Sequence, residues 1–262
     1  MIKSPKDLNI LLYFNHTMTL NRREFIGTAL SLVMGPSVLK ALVSRKTPSL
    51  EEQVDAQVKV LRNQDIVPRD VRTSWYVYDL SNNKELVSIN ADVPRQAASV
   101  IKMYIALAYF HKYKKEYLTY NGRSKNKDHE CFTCYDEKFN LNTEEDRLKA
   151  MLDFSDNGST NFLIDEVGGL EKVRQILQQN YSHVLKHTEI VEYIPPKSGK
   201  TYENKSSASD YARFLKALWQ NKLPESQFMK KILSYDDTAN VHGSYILGPL
   251  PKGKQGYNKT GF

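Results

Sequence analysis

The chain has 262 residues, of which 40% are hydrophobic and 26% are charged, and its formal net charge is +7. This composition excludes a disordered chain and a protein embedded throughout in a membrane, and the length suits one large domain or two small ones. No nucleic-acid motif accompanies the excess of lysine and arginine, so we predict a solvated basic surface and no nucleic-acid partner.

The N-terminal segment is typical of a bacterial export signal. Residues 18–44 begin with a charged stretch that contains Arg22 and Arg23, continue as an apolar run and end in small residues. The paired arginines indicate the twin-arginine type, and Met18 is a better start for such a signal than the first residue. The run is too short for a stable membrane span. We therefore assign residues 1–44 to an export signal and the protein to the periplasm or cell envelope. Whether the signal is cleaved or kept as an anchor stays open.

The remaining sequence predicts one α/β domain over residues 49–262. Two strands are predicted to form a β-hairpin, and a run that is apolar on nearly every side predicts a helix buried in the middle of the domain. This order of elements is typical of an antiparallel sheet flanked by helices, with a largely helical lobe. The predicted strands are 73–80, 85–90 and 253–262, and the predicted helices are 49–63, 100–110, 142–154, 159–167, 170–179, 209–220 and 225–233.

The two cysteines form a single pair, Cys131-Phe-Thr-Cys134. A structural zinc site usually takes four ligands, and the thioredoxin-like pattern that accompanies redox pairs does not surround this one. We therefore predict a local disulfide or two free thiols in a surface insertion, with neither a metal nor a cofactor.

Ser99-Val100-Ile101-Lys102 forms an S-x-x-K pattern at the opening of the buried helix. Because positions i and i+3 share one helix face, we expect Lys102 Nζ to reach Ser99 Oγ. A serine hydroxyl needs a base to become a nucleophile, and a lysine can serve once burial and nearby positive charge lower its pKa. The alternative is a capping serine beside a solvent-extended lysine, which leaves the cost of burying Lys102 unexplained.

A second motif, Ser155-Asp156-Asn157, lies between two predicted helices. As a purely structural feature it caps the helix that begins near Ser159. As a functional feature it supplies a serine that relays a proton to a leaving group and an asparagine that holds a substrate amide. The sequence of this segment alone leaves both interpretations open.

A third motif, Lys259-Thr260-Gly261, opens the last predicted strand. Its lysine and threonine can bind a substrate carboxylate, and its glycine lets a substrate backbone approach closely. Each motif is weak evidence alone, but the three in this order and on these element types form a strong joint signal.

The three motifs resemble the signature of class A β-lactamase-type serine hydrolases, in the penicillin-binding protein superfamily. The resemblance runs from residue 49 to residue 262 and includes the segment SDNGSTNFLIDEVGG. It implies that Ser99 is the acylated nucleophile and that Lys102 is the general base or proton relay. It also implies that Ser155 is the proton shuttle and that Asn157 contacts the substrate.

The resemblance also assigns roles to the end of the chain. Lys259, Thr260 and Gly261 would form the substrate-binding strand, with the first two anchoring the carboxylate. The oxyanion hole would use the backbone N–H groups of Ser99 and Phe262. Since the family continues past this motif with strands and a closing helix, we expect a fold that lacks them, with an exposed sheet edge at residues 253–262.

A second departure concerns the step that releases the acyl group. The family's lactamases carry a glutamate in the loop between the second and third motifs, with an asparagine four residues on, and this glutamate activates the water. Glu189 and Glu192 are the candidates, but Tyr193 and Pro196 follow them at that spacing. Efficient deacylation is therefore an open question.

These observations favour a serine hydrolase that forms an acyl-enzyme with β-lactams or acyl-D-alanyl peptides and hydrolyses the β-lactam amide. An exported, non-hydrolytic penicillin- or peptidoglycan-binding domain, or a DD-peptidase-like protein, is the alternative, and a truncated product without a stable fold is a third. The expected partners are a β-lactam or a peptidoglycan stem peptide. No stable protein partner is implied, and we expect a monomer.

Overall fold

The computed structural model describes residues 7–14, 48–113, 143–194, 203–235, 256–257 and 259. The helices are α1 (Leu50–Asn63), a 3-10 helix (Ala98–Ile101), α2 (Lys102–Tyr113), α3 (Glu144–Leu152), α4 (Asn157–Val167), α5 (Leu170–Tyr181), α6 (Ala208–Trp219) and α7 (Ser226–Leu233). The strands are β1 (Asp7–Phe14), β2 (Arg72–Asp79), β3 (Lys84–Ile89), β4 (Arg95–Gln96), β5 (Lys205–Ser206), β6 (Ser234–Tyr235) and β7 (Gly256–Tyr257). The predictions for residues 15–44, for Cys131 and Cys134, and for Thr260, Gly261 and Phe262 lie outside the described residues.

The largest sheet has the strand order β1-β2-β3. β2 and β3 form the predicted antiparallel hairpin, in which Trp75 lies opposite Ile89 and Asp79 lies opposite Lys84. The turn is closed by Asn83, whose φ of 49° lies in the left-handed region that asparagine tolerates. β1, which the sequence analysis did not predict, runs parallel to β2. The long connection through α1 makes this parallel pairing feasible.

α2 is buried on every side, as its uninterrupted apolar sequence predicts. Every residue from Lys102 to Phe110 is buried, and the helix packs against α3, α4 and α5. Full burial of one large apolar side chain contributes roughly 1.5–3 kcal/mol to stability, so α2 is a major part of the core. The predicted helical start at residue 100 falls in the 3-10 helix instead. Its tighter turn brings the N–H of Lys102 onto the carbonyl of Ser99.

α4 begins and ends where local capping chemistry predicts. Asp156 is the N-cap, and its Oδ2 accepts a hydrogen bond from the N–H of Ser159 at 2.5 Å. At the other end Gly168 adopts a φ of 110°, and its N–H donates to Asp165 O at 2.9 Å. Because the side chain of an N-cap residue bonds two to three residues ahead, α4 begins at Asn157, slightly earlier than predicted.

Among the described residues of the predicted last strand, Gly256 and Tyr257 form β7, which pairs with β6 in a separate antiparallel sheet. Within the described part of the chain, β7 does not join the β1-β2-β3 sheet. No helix in that part is both long and apolar enough to cross a membrane.

Candidate active site

Described residues from each of the three sequence motifs lie near the start of α2. Ser99 lies in the 3-10 helix and Lys102 is the first residue of α2, while Ser155 lies in the turn before α4 and Asn157 is the first residue of that helix. Lys259 follows β7. The structure joins the two lysines, Ser155 and Asn157 in one hydrogen-bonded cluster, although the chain separates the three motifs widely.

Lys102 is 0% exposed, and its ammonium group bonds to the second motif. Nζ donates to the backbone carbonyl and to Oγ of Ser155, the latter at 3.1 Å, and to Oδ1 of Asn157 at 2.7 Å. The expected hydrogen bond to Ser99 Oγ is not among the contacts of Lys102. A buried ammonium has three donors to satisfy, and the turn before α4 offers three acceptors at once.

Ser155 stands between the two lysines. Its backbone adopts a φ of 61°, an uncommon conformation for a serine, and its Oγ lies 3.0 Å from Lys259 Nζ as well as 3.1 Å from Lys102 Nζ. A hydroxyl oxygen accepts two hydrogen bonds and donates one. When both lysines donate to Ser155 Oγ, the hydroxyl proton points away from them. This geometry suits a proton relay.

Burial lowers the pKa of both lysines, and repulsion from Lys259 lowers the pKa of Lys102 further. Burial first, and then the charge of Lys259, lower the pKa of Lys102 to about 7, against the opposing effect of Asp156. Burial lowers the pKa of Lys259 to about 8, with Asp153 opposing. A lysine with a pKa near 7 is neutral in a large fraction of molecules at neutral pH, so Lys102 can act as a general base.

The backbone before the candidate nucleophile is strained. Ala98 has a φ of 43°, which is unusual for a residue with a Cβ atom, and Ser99 after it is half-buried. The flanking Ala97 is held by a hydrogen bond from its N–H to Asn204 O at 2.9 Å. The end of the loop before β5 therefore fixes the backbone that presents Ser99.

Both candidate deacylation residues are bound within their own loop. Glu189 is exposed, exchanges two backbone hydrogen bonds of 2.9 Å with Lys205, and places its carboxylate 3.9 Å from Lys205 Nζ. Glu192 Oε1 accepts a hydrogen bond from the N–H of Glu203 at 2.5 Å. Neither carboxylate bonds to Ser99 or to Lys102.

The sequence analysis missed one contact beside the second motif and one contact with the third. Asn161 Nδ2 donates to Ile194 O at 2.8 Å, and the N–H of Ile194 donates to Asn161 Oδ1 at 3.0 Å. Asn161 follows Asn157 by one helical turn on the same face, so the spacing of the two asparagines was a usable signal. Tyr211, whose hydroxyl contacts the backbone of Lys259, has no comparable signal in the sequence.

Comparisons with known proteins agree with this arrangement. A family described as the beta-lactamase enzyme family matches residues 53–262. Beta-lactamase BRO-1 of Moraxella catarrhalis is 26% identical over 194 residues, which are 70% of this chain and 60% of the relative. The chain therefore spans about 60% of the length of that curated relative.

Solved structures identify the fold. A class A beta-lactamase from Bacteroides cellulosilyticus is similar with a TM-score of 0.59 and 18% identity, over 79% of this chain and 75% of that one. A class A beta-lactamase from Clostridium kluyveri is similar with a TM-score of 0.53 and 23% identity, over 64% of each chain. These similarities confirm the predicted α/β fold of the β-lactamase type.

Proposed function

Because the chain belongs to the beta-lactamase enzyme family, we propose that it is a serine hydrolase that is acylated at Ser99 by β-lactams and opens their amide bond. The observation that carries this proposal is the cluster in which Ser155 Oγ lies 3.1 Å from Lys102 Nζ and 3.0 Å from Lys259 Nζ. A base with a lowered pKa is thereby in contact with a candidate proton relay, and the candidate nucleophile lies three residues before that base in the chain.

In the proposed acylation, Lys102 in its neutral form takes the proton of Ser99 while Ser99 Oγ attacks the carbonyl carbon. A bond forms between Oγ and that carbon, and the bond from the carbon to the amide nitrogen breaks. The proton passes through Ser155 to the leaving nitrogen. Asn157 Oδ1 is occupied by Lys102, so its amino group is the part that donates to a substrate carbonyl.

The third motif completes the proposed site. We assign the substrate carboxylate to the ammonium of Lys259 and the hydroxyl of Thr260, and the close approach of substrate backbone to Gly261. The oxyanion would be held by the backbone N–H groups of Ser99 and Phe262. A β-lactam or a peptidoglycan stem peptide is the ligand class that this set of groups fits.

Mass spectrometry after incubation with a labelled penicillin tests the proposal. We expect a covalent adduct on Ser99 that is missing from Ser99→Ala, because only the hydroxyl can form the ester. An unmodified wild-type chain after prolonged incubation would overturn the enzyme assignment.

A second candidate function is non-hydrolytic binding of penicillin or peptidoglycan. It is favoured by the contacts of the loop, in which Glu189 and Glu192 bond to other loop residues. The loop residues that hydrogen-bond to α4 are Tyr193 and Ile194, and neither carries a carboxylate. Formation of the Ser99 adduct without turnover of a chromogenic cephalosporin would select this candidate.

Export to the periplasm or cell envelope is part of the same proposal. It is supported by the Arg22-Arg23 pair ahead of an apolar run, which is typical of twin-arginine signals. Replacing both arginines with lysine is expected to retain the protein in the cytoplasmic fraction. Equal distribution of the variant and the parent would contradict this route.

A further inference from the structure

The side chain of Tyr211 binds the backbone of Lys259, the first residue of the third motif. Its hydroxyl donates a hydrogen bond to Lys259 O at 3.1 Å and accepts one from the N–H of Lys259 at 3.2 Å. In a sheet, these two bonds would come from the backbone of a neighbouring strand. In the described residues, the ladder between β6 and β7 pairs Tyr257 with Ser234, and Lys259 lies two residues further along the chain. The hydroxyl of Tyr211 therefore makes at Lys259 the two kinds of bond that a strand backbone makes.

The helix that carries Tyr211 is itself fixed against α2. Phe214, one turn further along α6, meets the ring of Tyr104 edge-on at a centroid distance of 5.3 Å. Tyr104 is fully buried and lies two residues after Lys102. α6 therefore contacts both sides of the site. Phe214 packs against the helix of Lys102, and Tyr211 binds the backbone of Lys259.

We propose that Tyr211 is a positioning residue that sets the separation of Lys102 and Lys259 through its two hydrogen bonds to the backbone of Lys259. Its effect on catalysis passes through the two lysines and rests on the proposed acylation at Ser99. The separation itself is a property of the folded chain and does not depend on any substrate.

The charges around the two lysines determine how their separation affects the pKa of Lys102. The charge of Lys259 lowers the pKa of Lys102, while Asp156 acts on Lys102 and Asp153 acts on Lys259 in the opposite direction. Coulomb repulsion weakens with distance, so a Lys259 that moves outward lowers the pKa of Lys102 less. Burial raises the pKa of Tyr211, which keeps its hydroxyl protonated and able to donate near neutral pH.

Tyr211→Phe removes the hydroxyl and keeps the ring. We expect the pKa of Lys102 to rise by roughly 0.5 to 1 in this variant, since a loss of about 1 kcal/mol of repulsion from Lys259 shifts the pKa by about that amount. A higher pKa leaves less neutral Lys102, so the acid limb of the acylation rate should move to higher pH. Tyr181→Phe is the control, because its hydroxyl lies 2.9 Å from His111 Nδ1 and makes no contact with the motifs.

Carbon NMR titration of chains labelled at lysine Cε measures the pKa of Lys102 without substrate, once Lys102→Met has assigned the signal. An increase in the pKa of Lys102 in Tyr211→Phe and none in Tyr181→Phe supports the proposal, and equal values in the folded variants overturn it.

If Tyr211→Phe does not fold, hydrogen exchange of the Lys259 amide in the unaltered chain tests the proposal instead. Protection supports the proposal, and exchange at the rate of an unstructured peptide overturns it. Absence of any penicillin adduct would instead overturn the proposed function.

Discussion

Lys102 Nζ donates a hydrogen bond of 2.7 Å to Asn157 Oδ1, and this contact joins the first residue of α2 to the first residue of α4. Two helices of the core thus begin at the same point. The positive ends of the two helix dipoles make such a point favourable for a substrate that develops negative charge. The relationship also explains how a fully buried lysine is tolerated, since its donors are satisfied by the turn that starts the second helix.

Lys102→Met is expected to separate catalysis from stability. Removing the proposed base should lower the rate of penicillin acylation by about 10²- to 10⁴-fold, the usual contribution of general base catalysis. The free energy of unfolding should stay the same or increase, because an apolar side chain of similar length replaces a buried ammonium. Stopped-flow acylation and thermal melting measure the two effects. Acylation within tenfold of the parent would contradict the assignment of Lys102 as base.

The stability of the folded chain is expected to rise between about pH 7 and pH 10. The pKa values of Lys102 and Lys259, about 7 and about 8 in the folded state, lie below the ordinary value of 10.5. In that window the unfolded chain binds more protons than the folded chain, so raising the pH favours folding. In this window each lysine raises the free energy of unfolding by up to about 1.4 kcal/mol per pH unit.

Urea unfolding at several pH values measures this dependence. Lys102→Met is the matched control and should show a smaller slope, because one of the two titrating groups is gone. A free energy of unfolding that stays constant or falls from pH 7 to pH 9 in the parent would contradict the lowered pKa values.

Ile194→Glu is expected to increase turnover. Ile194 is the loop residue that Asn161 ties to α4, and it is 3% exposed, so a glutamate there introduces a carboxylate beside the helix of the second motif. A general base that activates water accelerates hydrolysis by roughly 10²-fold or more. Burial of the carboxylate should also lower the free energy of unfolding by about 1–3 kcal/mol.

Turnover of a chromogenic cephalosporin measures the gain, and Ile194→Gln is the control because it has a similar shape without a base. A gain in Ile194→Glu alone supports activation of water from this position. Equal turnover of the glutamate and glutamine variants would show that the carboxylate has no such role.

Asn161→Ala is expected to loosen the loop from α4. The variant leaves the backbone N–H and carbonyl of the buried Ile194 without their partner, which costs about 2 kcal/mol in the free energy of unfolding. Asn180→Ala is the comparison, since that side chain bonds only within its own helix, to Ile176 O at 2.9 Å. Denaturant unfolding of both variants measures the difference, and equal losses would mean that the bonds to Ile194 do not hold the loop.

Some predictions from the sequence held because they depend on neighbours along the chain. The N-cap of α4 at Asp156 and its stop at Gly168 involve residues within one or two turns, and the hairpin of β2 and β3 involves a short turn. Burial of α2 from Lys102 to Phe110 followed from a nearly continuous apolar run in the sequence. Local interactions can be predicted from a sequence because the interacting groups occur at known spacings.

Other features could not be predicted because they depend on how distant elements pack. The sequence suggested that Lys102 would bond to Ser99, yet in the folded chain its ammonium bonds to Ser155 and Asn157. Glu192 is a loop carboxylate of the expected residue type, but its Oε1 accepts a hydrogen bond from the N–H of Glu203. Lys102 binds residues of another segment and Glu192 binds a residue across its own loop, and in each case packing set the distance to the partner.

The amino-acid sequence by itself determined the chemical groups of the site, the order of the motifs and the helices that begin at them. Tertiary structure alone decided which groups meet, including the bonds of Tyr211 to Lys259 and of Asn161 to Ile194. The physical reason is the separation along the chain of the residues that interact. Caps and turns gain their free energy from residues a few positions apart, whereas the meeting of two buried lysines at one serine requires the whole core to hold them there.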